Sequence, residues 1–155
     1  MALYLSWTIE GDVQLSRRLL FLSDAIKDWT EAFEDTASYL LEVFGDAVFE
    51  SEGREIGEAW LPLSSWYAVT KQARYPGSGL LVATGLMKES FNALIQPNQL
   101  QIINQVDYFK YHQSNLPRTR LPRRAMMGLA DEQKTSIVRI FQAYYTKAME
   151  ESSVA

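Results

Sequence analysis

FNALIQPNQLQIINQV, residues 91–106, decides the fold class. Two strand-like runs, Phe91 to Ile95 and Gln99 to Val106, flank Gln96-Pro97-Asn98. A turn signal between two runs of that kind reads as a β-hairpin. The chain therefore holds a small antiparallel sheet, and the rest is read by asking what covers that sheet.

Downstream lies YFKYHQSNLPRTRLPRRAMMGLAD, from Tyr108 to Asp131. It contains the chain's single histidine, His112, and four arginines within seven positions: Arg118, Arg120, Arg123 and Arg124. Tyr108 to His112 reads as a short helical turn, and Arg118 to Leu121 as a further strand bounded by Pro117 and Pro122. Asp131 is the expected cap of a last helix with an apolar face of Ile137, Ile140, Phe141, Tyr144 and Ala148. Residues 150–155 are expected to fray.

Upstream, Thr84-Gly85 opens a helical turn ending near Phe91, and Tyr75 to Gly79 reads as a turn. Ser64 or Ser65 is the expected cap of a short helix through Lys71 to Arg74. Residues 52–63 form a loop punctuated by Gly53, Gly57 and Pro62, with Trp60 packing across a domain face. Asp28 followed by Glu31 reads as a capping box for a long helix whose stripe is Phe33, Ala37, Leu40, Leu41, Phe44 and Val48. Its outer face carries Glu34, Asp35, Glu42, Asp46 and Glu50. Asp12 caps an earlier helix with Leu15, Leu19, Leu22 and Ile26 on one side. Residues 1–11 alternate as a strand. The expected architecture is α+β in one domain over 1–155. Two long helices near the N-terminus and one C-terminal helix pack on a small antiparallel sheet.

At 155 residues and 47% hydrophobic content the chain can bury a core of its own. It has no cysteine, which removes disulfides and thiolate metal sites. No apolar run reaches membrane-span length, and MALYLSWTIEGD lacks the basic region of a signal peptide, so a cytoplasmic origin is expected. Charge is uneven: residues 1–60 carry 13 Asp/Glu and 4 Lys/Arg, and residues 61–155 carry 6 and 11. That polarity suits head-to-tail contact between copies; the alternative is an ordinary solvated surface.

The constellations that carry chemistry are incomplete. His112 has no second histidine or cysteine to build a metal site with, and no serine stands in a nucleophile elbow. Neither a G-x-G-x-x-G nor a Walker lysine is present. No catalytic residue, cofactor site or metal site is expected, and His112 reads as a structural residue. The arginines fit protein contact, with phosphate contact as the alternative.

Five words stand in one order: Trp60-Leu-Pro-Leu-Ser64; Lys71; Leu80 through Thr84-Gly85 to Phe91; Tyr108 through Tyr111-His112-Gln113; and Leu121-Pro122-Arg123-Arg124 through Gly128-Leu129. In this the chain resembles the tail completion, or virion morphogenesis, family of tailed bacteriophages, which includes the G protein of Mu-like phages and the S protein of P2-like phages. The likeness covers about residues 12–148. Met87 replaces that family's leucine, Phe109 its alanine, Ser114-Asn115 its glycine turn and Ala125 its second proline.

The resemblance implies a minor virion protein, not an enzyme, that completes the tail or joins it to the head. It would act as a ring, expected to be hexameric, at the neck, with connector and tail tube proteins as partners and passing DNA as a contact. Arg118, Arg120, Arg123 and Arg124 are the interface candidates. Trp60, Thr84, Gly85, Tyr111, His112, Gln113 and Pro122 are the structural motif. The alternatives are a nucleic-acid-binding module built on the arginines and a hydrolase built on His112.

Overall fold

The computed structural model describes residues 20, 23–24, 27–116 and 120–154. The strand expected over 1–11, most of the helix expected after Asp12, and Arg118 lie outside the described residues. Within them the fold is α+β: a two-stranded antiparallel sheet with helices against it.

The hairpin forms where its turn signal places it. β1 (Phe91–Gln96) pairs with β2 (Gln99–Asn104), Phe91 opposite Asn104 and Gln96 opposite Gln99, leaving Pro97-Asn98 as the turn. The pleat turns Phe91, Ala93, Ile95, Leu100 and Ile102 inward and leaves Asn92, Leu94 and Gln101 in solvent. The strand expected over 118–121 is not seen at its described positions: Arg120 and Leu121 lie in bends. The segment that follows finds hydrogen-bond partners in the side chains of Trp60 and Gln113 and the carbonyl of His112 instead of a neighbouring strand.

The long helix begins as α1 (Thr30–Glu42), passes through a π-helical turn at Val43–Ala47 and ends as α2 (Val48–Glu50). The π turn has a reason in the burial pattern. Val43-Phe44 and Val48-Phe49 are both buried, yet they stand five residues apart. In a regular α-helix, five residues turn the side chain well away from its starting direction, and the wider turn brings both pairs back to one side. At the start of α1 the Asp28 carboxylate accepts the backbone N–H of Thr30 at 2.9 Å and its hydroxyl at 2.5 Å. The expected capping box does not form: Trp29 holds the N-cap position without a side-chain cap, and Glu31 turns to a longer-range contact. Glu31 reaches the Lys147 ammonium at 2.6 Å.

Four short or long helices follow: α3 (Ser65–Arg74), α4 (Leu86–Glu89), α5 (Phe109–Gln113) and α6 (Asp131–Val154). α6 packs the expected face, with Ala148 buried and Ile137, Ile140, Phe141 and Tyr144 half-buried. Two details differ from expectation. The Ala130 N–H is capped by the Gln133 side chain at 3.0 Å, so the residue three positions along caps the helix and Asp131 sits in its first turn. The C-terminal residues expected to fray continue the helix to Val154, and Ser152 is buried. Ser64 occupies the N-cap position of α3 without a side-chain hydrogen bond to it.

The core joins these elements through aromatic rings. Phe44 meets Phe91 at 6.1 Å, Phe91 meets Phe109 edge-on at 5.7 Å, and Phe49 meets Trp60 edge-on at 5.5 Å. Val48 and Met126 are fully buried between them. A second contact fixes α6 to the start of α1, where Trp29 lies 5.3 Å from Phe141 and 5.4 Å from Tyr144.

Candidate functional site: a cleft with buried cations

A cleft of about 810 Å³ opens between residues 62–67, the buried side of α3, residues 80–87, the head of α5 and residues 120–124. Its wall carries Lys71, Arg120, Arg124 and His112, together with Tyr67, Tyr108, Ser64 and Thr84, and among the described residues no aspartate or glutamate.

Two of the cations are buried. Lys71 is 6% exposed and Arg124 is 4% exposed. Lys71 Nζ donates to the carbonyls of Gly79 and of Leu80, the latter at 2.6 Å. Arg124 Nε donates to the Leu61 carbonyl at 2.7 Å and Nη2 to the Pro62 carbonyl at 3.0 Å. These carbonyls satisfy donors without supplying a negative charge. Burial holds the Lys71 ammonium below its ordinary pKa, and the nearby Arg124 charge pushes it the same way. Burial likewise lowers Arg124.

The residues beneath the cleft form an interlocked frame. Trp60 donates its indole N–H to the Ala125 carbonyl at 2.7 Å. Gln113, the last residue of α5, accepts from the backbone N–H groups of Met126 and Met127 at 3.0 and 3.1 Å and donates to the Met127 carbonyl at 2.7 Å. The Arg124 N–H donates to the His112 carbonyl at 3.0 Å. Between residues 124 and 127, three backbone N–H groups and two carbonyls are thus satisfied without a neighbouring strand.

Trp60 is placed by the turn before it. Gly53 and Gly57 have φ of 83° and 77° and bracket a 3₁₀ turn at Arg54–Ile56. A Cβ on Gly53 would overlap the Glu58 carbonyl oxygen and stand 2.5 Å from the indole.

The arginine cluster divides. Arg124 is a buried clamp, and Arg123 pairs with Glu58 and donates to the Gln113 carbonyl at 3.2 Å. Arg120 is exposed at the cleft, and Arg118 lies outside the described residues. Thr84 and Gly85 line the cleft at the start of α4, Gly85 with φ of 85°. His112 and Pro122 line it too, half-buried, whereas Tyr111 is exposed with the Lys110 ammonium 5.3 Å from its ring centre. Lys71 carried no chemical signal in the sequence, because a lysine on a short helix reads as solvent-facing.

No group of three or more His, Asp or Glu among the described residues is arranged to hold a metal ion. No helix among the described residues is long and apolar enough to cross a membrane. The chain matches no family model, no curated protein sequence and no solved structure.

Proposed function

We propose that this chain is a minor structural protein of a tailed phage or prophage virion. It acts in tail completion or head–tail joining as a ring at the neck, and not as an enzyme. The observation that carries this reading is the interlocked frame. The words that resemble the tail completion family, from Trp60-Leu-Pro, Thr84-Gly85, His112-Gln113 and Pro122-Arg-Arg, come together around one cleft. Trp60, Gln113 and Arg124 are spent on tethering backbone, which is the work of residues that hold a shape. The ring's partners would be further copies of the chain, the connector and the tail tube.

The nucleic-acid reading draws less support. Of the described arginines in the cluster, Arg124 is buried and Arg123 is paired with Glu58, which leaves Arg120 to meet phosphate. One experiment tests the proposal. The gene is deleted from the phage or prophage that carries it, and particles are counted by electron microscopy with and without complementation. The expected result is heads and tails that fail to join, or tails of irregular end, restored by the wild-type gene. Normal joined particles from the deletion strain would overturn it.

A further inference from the structure

α3 is inside out. Of its ten residues only Lys71 is buried, and it lines the cleft together with Tyr67, which is 49% exposed. The cleft beside it holds Lys71, Arg124 and Arg120 with no acidic residue in its wall among the described residues. A pair of like charges taken out of water beside each other is costly unless an opposite charge joins them.

The outer face of the long helix has the opposite problem. Glu34, Glu42, Asp46 and Glu50 are exposed on a helix that carries no lysine or arginine from Thr30 to Glu50. Of these only Asp46 has an ion partner among the described residues, Lys88 at 2.8 Å. None of the four lines the cleft.

We infer that the cleft beside α3 receives the acidic outer face of α1 and α2 from a second copy of this chain. Carboxylates such as Glu42 and Glu50 meet Arg120 at the mouth of the cleft and bring negative charge to the buried Lys71–Arg124 pair, and Tyr67 loses water as the helix docks. Each face relieves the repulsion stored in the other. The contact joins two different patches, so it propagates head to tail and yields a ring when the rotation closes. This inference rests on the ring reading above and names the two surfaces that would build it.

The test uses two full-length variants altered only at exposed positions, each checked for native circular dichroism. One is Tyr67→Asp with Arg120→Glu, which blocks the cleft; the other is Glu42→Gln with Glu50→Gln, which removes the incoming charges. Sedimentation velocity at low salt should show wild-type self-association that each variant weakens by at least about tenfold. An equimolar mixture of the two should form a one-to-one pair that grows no further, because only one productive junction remains. Variants that associate like the wild type, or a mixture that stays monomeric, would overturn the inference. So would a wild type that is monomeric at its highest soluble concentration, or one that instead binds a short DNA duplex through Arg120. If the cleft variant still completes tails in the deletion strain, this interface is wrong while the tail-completion reading stands. If the deletion strain makes normal particles, that reading fails whatever the association data show.

Discussion

Trp60 and Ala125 meet across 65 positions of the chain: the indole N–H donates to the Ala125 carbonyl oxygen at 2.7 Å. The ring also packs edge-on against Phe49, so one side chain joins the end of the long helix to the frame beneath the cleft. Trp60→Phe keeps most of the ring and leaves the Ala125 carbonyl without its donor. Urea denaturation should show a loss of about 1–3 kcal/mol for Phe. Trp60→Ala also opens a cavity and should cost about 3–5 kcal/mol.

Gly53 and Gly77 separate two reasons for a glycine. Both have positive φ, 83° and 74°. A Cβ at Gly77 meets nothing within 4 Å, whereas at Gly53 it overlaps the Glu58 carbonyl and crowds Trp60. Gly77→Ala should cost only the left-handed strain, about 1–2 kcal/mol. Gly53→Ala adds a backbone clash and should fail to yield folded protein, or yield it with a melting temperature far below that of Gly77→Ala.

The hairpin, the long helix and the face of α6 were legible in the sequence because each is local: a turn dipeptide, a periodic stripe, a periodic face. The π turn was not, since its cause is the need to bury both Val43-Phe44 and Val48-Phe49 against a core assembled from distant segments. The expected third strand misled for a related reason. Prolines around an alternating stretch suit an edge strand, but at the described positions of 118–121, Arg120 and Leu121, the chain bends, and just after it Ala125, Met126 and Met127 are held by Trp60 and Gln113 from elsewhere in the chain. At the site, the arginines were visible as a cluster while their division into clamp, ion pair and exposed group was not. Lys71 reads like any surface lysine until Gly79 and Leu80 fold over it.

Gln113 holds three backbone groups of Met126 and Met127 with one amide. Gln113→Leu has similar bulk and no donor or acceptor, so it strands two N–H groups and a carbonyl. It should lose at least about 2 kcal/mol in urea denaturation. Arg123→Ala, which removes a partly exposed ion pair on the same segment, should change stability by less than about 1 kcal/mol. Equal losses from the two variants would mean that Gln113 does not organise this segment.

Lys71 gives stability a pH dependence whose sign follows from its lowered pKa. Below the folded-state pKa, both folded and unfolded chains hold the proton, and the folded state bears the whole cost of a buried charge beside Arg124. As pH rises toward the ordinary value of 10.5, the folded chain releases the proton before the unfolded chain does. The unfolded state then binds more protons, so stability rises with pH across that window. Lys71→Met keeps the apolar stem and removes the titration. The difference in unfolding free energy, wild type minus Lys71→Met, should therefore climb between the lowered pKa and about 10.5. Taking the difference cancels Tyr144, whose raised pKa acts in the opposite direction in both proteins. A flat difference across the alkaline range would show that Lys71 is solvated as an ordinary surface lysine. The two-cation account of the cleft would then fail with it.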